Sequence, residues 1–179
     1  MAQQLPPGTV REDLVSFVDF AQQCWLWRVS RFQQECRDKF AGPQRARQRE
    51  YIYAASDRMD NQFDRTRAVR DKRFHYIRNF HPELPYSQRN SYNEENPTMQ
   101  VWRKLSERGQ LSGAPALFFA PTKAKEELCD TQTDPDEIHN LAIDAKYQKT
   151  LLRLRKRLEH WIKDTKDLGE IPRNWLSAG

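Results

Sequence analysis

The cleanest pattern in the chain lies at residues 65–79. Residues 74–79 alternate, with Phe74, Tyr76 and Arg78 to one side and His75, Ile77 and Asn79 to the other. That is the period of a half-buried antiparallel strand. Residues 65–70 read as its partner strand, and Asp71, Lys72 and Arg73 as the turn between them. A lone hairpin is not stable in water, so further strands and a helix must cover it. Near the C-terminus, Tyr147, Leu151, Leu154, Leu158 and Trp161 recur at helical spacing behind Asp144. This stripe predicts a long helix across the inner face of the sheet. Arg153, Arg155, Lys156 and Arg157 then fall on its solvated, polar side. Residues 126–130 predict one more strand beside the hairpin, and residues 134–137 a turn.

The remaining segments give weaker signals. Residues 51–55, Tyr-Ile-Tyr-Ala-Ala, read as a buried strand, and residues 56–64 as a polar loop. After a loop at 81–95, Asn96 caps a helix with Pro97 in its first turn. Its spacing predicts Val101, Trp102 and Leu105 facing inward, with Gly109 at its end. Residues 112–125 are mostly irregular. Near the N-terminus, Thr9 and Glu12 form a capping box ahead of a helical face of Val10, Leu14, Val18 and Ala21. The periodicity then stops: Cys24, Trp25, Trp27 and Cys36 stand among arginines with no amphipathic face.

Composition narrows the classes. The chain has 179 residues, 37% hydrophobic and 31% charged, enough for one ordinary globular domain. Its longest apolar run, residues 116–120, is far short of a membrane span. Residues 1–6 lack the basic-then-apolar layout of a signal peptide. The net charge of +5 invites a nucleic-acid reading, but its distribution undoes that reading. Residues 22–49 carry seven basic side chains against Glu35 and Asp38, and the rest of the chain is neutral. Three cysteines define neither a disulfide framework nor a zinc site. His75, His81, His139 and His160 have no ligand spacing. There is no Gly-rich phosphate loop and no nucleophile elbow.

Two stretches carry a family resemblance. Arg67-Ala68-Val69-Arg70-Asp71-Lys72-Arg73-Phe74-His75-Tyr76-Ile77-Arg78-Asn79 resembles the C-terminal hairpin of type I sulfatases, in the alkaline phosphatase superfamily. The run Glu126-Glu127-Leu128-Cys129-Asp130, then Asp134-Pro135-Asp136-Glu137, then Asn140-Leu141-Ala142 is similar to that family's E-E-L-Y-D, D-P-x-E and N-L-A, with Cys129 in place of the usual Tyr. The likeness covers residues 7–21 and 50–176 and is closest to sugar and heparan N-sulfatase-like enzymes. It implies an α+β piece: a small antiparallel β-sheet packed by a long C-terminal helix, preceded by remnants of a larger α/β sulfatase catalytic domain. In that division residues 1–21 are a helix of the catalytic domain and 50–61 its last strand and rim loop. Residues 62–179 are the C-terminal subdomain. Residues 22–49 read as out of frame or disordered. Shifting the reading frame by one base turns Cys24–Trp25 into Leu and Trp25–Leu26 into Ala or Val, and a sulfatase-like sequence becomes possible throughout. The alternative is a divergent basic loop.

The resemblance also sets the chemistry. Sulfate-ester hydrolysis in the family uses a formylglycine nucleophile made from C-x-P-x-R and a divalent cation, calcium or magnesium, which stabilise charge on the sulfuryl oxygens. Cys24-Trp25-Leu26-Trp27-Arg28 has Leu26 where proline belongs and is rejected as that motif. No catalytic residue or metal ligand maps onto this chain. Asp57-Arg58-Met59-Asp60 matches a family loop at the rim of the substrate pocket. Asp57, Arg58, Asp60 and Arg65 are accordingly the substrate-rim candidates, with Arg58 suited to a sulfate oxyanion. The competing reading of Arg58 is ordinary pairing with Asp57, Asp60 or Asp64. The family implies an exported enzyme, periplasmic or extracellular, acting on a sulfated small molecule or glycan, with neither nucleic acid nor membrane as partner. The rival class is a non-enzymatic basic module binding nucleic acid or sulfated polysaccharide, through Arg65, Arg67, Arg70, Arg73 and Arg78 with Phe74 and Tyr76.

Overall fold

Four strands follow one another across a single sheet in the computed structural model, which describes residues 49–59 and 62–169. They are β1 (Ile52–Met59), β2 (Gln62–Arg70), β3 (Phe74–Asn79) and β4 (Glu126–Asp130), adjacent in the order β1-β2-β3-β4. Only three residues join β2 to β3, too few for a parallel crossover, so the pair is a hairpin. β4 returns after a long excursion and pairs antiparallel with β3, setting Phe74 opposite Asp130, Tyr76 opposite Leu128 and Arg78 opposite Glu126. The helices are α1 (Ser91–Glu94), α2 (Pro97–Glu107), α3 (Ala114–Phe118) and α4 (Gln148–Asp164), the last entered through a 3-10 turn at Ala145–Tyr147. This is the α+β arrangement of antiparallel sheet and C-terminal helix that the periodicity predicts. The chain divides into two units, Met1–Tyr53 with Arg70–Lys72, and Ala54–Val69 with Arg73–Gly179. The second carries the core and every cluster discussed below. Of the first, the described residues are 49–53, a half-buried to exposed stretch that opens β1, and 70–72, the end of β2 and the start of the hairpin turn.

The two faces of β3 behave as its alternation predicts. Phe74 packs edge-on against Tyr147 at the start of α4, Tyr76 is fully buried, and Arg78 reaches Glu159 of α4 at 3.2 Å. On the opposite face His75 Nδ1 meets Glu137 at 2.6 Å, and Asn79 donates to Glu127 and to the Ala124 carbonyl. The helix supplies Leu151, Leu154 and Leu158, all at 3% exposure or less, against Tyr76, Leu128 and Val69, which are fully buried. Burying a side chain of this size contributes about 1.5–3 kcal/mol each, so this apolar layer is what holds α4 in place. Trp161, at the edge of the stripe, is half-buried. Asp144 opens the helical segment by accepting from Lys146 N at 2.8 Å, as a capping residue does.

Several local expectations need correction. Residues 56–64 are strand rather than polar loop on both sides of the undescribed pair 60–61: β1 extends to Met59 and β2 begins at Gln62. An edge strand and its neighbour tolerate polar side chains because only one face needs covering, so polarity alone does not mark a loop. Residues 51–55 are not a buried strand: Tyr51, Ile52 and Tyr53 are half-buried, and Ala54 and Ala55 are exposed. In α2 the cap is correct, with Asn96 accepting from Thr98 N at 2.9 Å and Pro97 following. Its predicted inward face is not, since Val101 and Trp102 are exposed and Leu105 is half-buried. Trp102 meets the rings of Phe118 and Phe119 in edge-to-face contacts. Gly109, just past the helix, takes the left-handed backbone (φ 65°) that a C-terminal glycine stop requires. Arg155 is half-buried rather than on the solvated side, its guanidinium forked onto Glu126 at 2.7 and 2.6 Å. The capping box at Thr9, the helical face from Val10 to Ala21, residues 22–48 of the segment 22–49, and Asp60 lie outside the described residues.

Candidate functional site

Strand alternation puts Arg65, Arg67 and Val69 on one face of β2. Val69 is buried under the helix, and the two arginines occupy the stretch of that face beyond it, at 4% and 1% exposure. Burying two cations in this way requires carboxylates and hydrogen bonds for nearly every N–H. α4 brings one carboxylate: its last turn ends at Thr165, Lys166 turns left-handed (φ 51°), and Asp167 swings onto the arginine pair. β1 brings the other, Asp57.

The geometry is tight. Arg67 donates from Nε to Asp167 Oδ2 at 2.6 Å and from Nη2 to Oδ1 at 2.8 Å, a bidentate fork. Its Nη2 also reaches Asp57 Oδ1 at 2.7 Å, and its Nη1 donates to the Ser56 and Thr66 carbonyls at 3.0 and 2.9 Å. All five N–H groups of this guanidinium are therefore used. Arg65 Nη2 donates to Asp167 Oδ2 at 3.3 Å while its guanidinium carbon sits 4.1 Å above the centre of the Phe80 ring. Gly169 N completes the ring of donors on Asp167 Oδ1 at 3.0 Å. A Cβ at Gly169 would collide with Arg67 Nη2 and lie 2.7 Å from Asp57 Oδ1 and 2.9 Å from Arg65 Nε, so a side chain there would push the clamp apart. The Arg67 fork holds the Asp167 carboxyl well below the usual carboxylate range, against the opposing effect of burial. Asp167 in turn raises Arg67 further.

A second cluster sits under the middle of α4. Tyr76 donates its hydroxyl to Glu126, which also receives the Arg155 fork. Burial pushes the Tyr76 phenol up, with Glu126 adding to the shift. Burial alone would raise Glu126, but the bonds from Arg155 and Tyr76 outweigh it and its carboxyl is lowered. At the far end Arg73 forks onto Asp130, which is 1% exposed and lowered chiefly by that contact. On the opposite face Lys123, also buried, pairs with Asp64. Cys129 is buried and its thiol is pushed up to about 12, first by burial and then by Glu137, Glu127 and Asp134, so it is no nucleophile at neutral pH.

Among the rim candidates, Arg65 and Asp57 are thus brought together through Arg67 and Asp167, Arg58 is exposed on β1, and Asp60 lies outside the described residues. Asp57 and Asp64 pair with Arg67 and Lys123. Sequence reasoning offered Arg67 only for the basic binding module and did not single out Asp167 at all. The i, i+2 spacing of Arg65 and Arg67 is a usable signal for a shared face, whereas Asp167 is 100 residues away and only the docking of α4 finds it. Of the arginines offered for a basic binding surface, Arg65, Arg67, Arg73 and Arg78 all face carboxylates within this chain. Among the described residues no group of three or more His, Cys, Asp or Glu is arranged to hold a metal ion, and no helix is long and apolar enough to cross a membrane.

No family model matches the chain. An ulvan-active sulfatase of Formosa agariphila is 38% identical over 174 residues, covering 97% of this chain and 29% of that protein. A second ulvan-active sulfatase of the same organism is 34% identical over 103 residues, covering 58% of this chain and 18% of its own length. A solved 2-O GAG sulfatase is similar at 22% identity and a TM-score of 0.41, over 68% of this chain and 18% of its own. The chain spans less than a third of the curated relatives it matches. Nearly every residue of it takes part in the first alignment, at an identity that chance does not produce over such a length, and the chain is a sulfatase homologue.

Proposed function

We propose that this chain is the C-terminal subdomain of a sulfatase-type hydrolase that removes sulfate esters from a sulfated carbohydrate. The observation that carries the reading is the 38% identity over 174 residues to an ulvan-active sulfatase, and it makes a sulfated polysaccharide the substrate class to test first. In a complete enzyme the sheet and α4 would form a braced unit beside the catalytic domain. Asp57, Arg58, Asp60 and Arg65 would stand at the rim of the substrate pocket. A formylglycine and a calcium or magnesium ion would supply the nucleophile and the charge stabilisation. The described residues offer no ligand set that fits such a cation.

The test is a chimera in which this chain replaces the matching part of the Formosa agariphila relative. The chimera is expected to release sulfate from ulvan, whereas the relative lacking that part, and the present chain alone, are expected to release none. A chimera that melts cooperatively yet leaves ulvan untouched overturns the proposal.

A further inference from the structure

We propose that Arg65 and Arg67 form a sulfate-binding site that Asp167 occupies in cis. Four donors converge on the Asp167 carboxylate: Arg67 Nε and Nη2, Arg65 Nη2 and Gly169 N, at 2.6 to 3.3 Å. This is the donor set a sulfate oxyanion requires, with one planar fork and a second guanidinium beside it.

The site is built in advance of any ligand. Three of the five N–H groups of Arg67 are fixed by Asp57 and by the Ser56 and Thr66 carbonyls, none of which involves Asp167. Arg65 is held over the Phe80 ring. Arg67 therefore keeps three of its five hydrogen bonds when the carboxylate is gone, and Arg65 keeps its contact with Phe80. Asp167 itself belongs to the turn beyond α4, joined to the helix by its own N–H to Ile162 O at 3.1 Å. Charge points the same way: removing Asp167 takes a negative charge from beside both arginines, and a bound sulfate group restores it. A carboxylate tethered in the same chain competes at high effective concentration, so the resting affinity for an external anion is lowered by the fraction of time the site is closed. The choice of sulfate over other oxyanions rests on the sulfatase reading. The geometry of the site does not.

The experiment measures binding, not turnover, so an inactive chimera leaves it standing. Thermal melts of the full chain are recorded at constant ionic strength while chloride is replaced by inorganic sulfate, and separately by acetate. Asp167→Ala and Asp167→Asn are compared with the parent; the Asn variant keeps the shape of the side chain where alanine leaves the chain unfolded. Sulfate is expected to raise the melting temperature of both variants, with an apparent affinity at least about tenfold that of the parent. Combining Arg67→Gln with Asp167→Asn should abolish the gain over the parent, leaving the general stabilisation that sulfate gives any fold. An equal sulfate response in parent and variants, or a gain that survives Arg67→Gln, overturns the site. A response to acetate but not to sulfate overturns the assignment of its ligand.

Discussion

Helices α2 and α4 are almost equally amphipathic, yet only α4 has buried side chains. Leu151, Leu154 and Leu158 of α4 meet a ready surface, the row Val69, Tyr76 and Leu128 presented by three adjacent strands. α2 lies within the excursion between β3 and β4 and sets Trp102 on Phe118 and Phe119, contributed by the same excursion. Spacing tells which residues of a helix can be buried together. Whether they are buried depends on a facing surface that the helix's own sequence does not contain.

The sharpest test of this contrast is Leu158→Ala in α4, expected to cost about 2–5 kcal/mol in a urea melt followed by tryptophan fluorescence. A loss below about 1 kcal/mol would place the helix's attachment elsewhere than in the apolar layer. Next comes Arg155→Ala. Its fork onto Glu126 also orders the Tyr76 hydroxyl, so removal should cost about 1–3 kcal/mol, measured in the same melts, rather than the near-zero change of a solvated arginine. A double-mutant cycle with Glu126→Gln would show whether that cost belongs to the pair.

Acid should separate the two helices again. Asp167 and Asp130 are both depressed below the ordinary aspartate value of about 3.9, so their contribution to stability is present above that pH and is lost as pH falls through it toward their folded values. The urea midpoint of the parent is expected to drop below about pH 4, and that of Asp167→Asn to drop less steeply. The smallest effect is Trp102→Ala in α2, expected to cost about 1 kcal/mol, the scale of its two edge contacts. A loss as large as that from Leu158→Ala would mean that α2 is covered in solution by a further surface.

Much of the fold was legible in the residues. The β3 boundaries, its two faces, the hairpin turn at Asp71–Arg73, the strand at Glu126–Asp130, the Asn96 cap and the α4 stripe all follow from local periodicity and chemistry. The errors share a cause. Residues 56–64 are polar and resemble a loop because their partners lie on other strands, and Val101 and Trp102 share a stripe that no facing surface covers. Arg155 looked solvated within a basic run, and only the arrival of β4 beneath it supplies Glu126. The site was half visible for the same reason: Asp57 and Arg65 come from a local motif and the hairpin, whereas Arg67 and Asp167 acquire their meaning across 100 residues.

The arginine clamps also bear on how the molecule opens. α4 is tied near its start by the Phe74–Tyr147 ring contact, at its middle by Arg155 to Glu126, and past its end by Asp167 to Arg65 and Arg67. Helix ends ordinarily fray, and their amides exchange with solvent well before those of the centre. Here unwinding the last turn carries Asp167 off two buried arginines, so that end cannot loosen without exposing cations inside the sheet. The amides of α4 should therefore exchange in step with those of β2 and β3, as one cooperative unit, and Asp167→Asn should uncouple the last turn while leaving the rest of that unit intact.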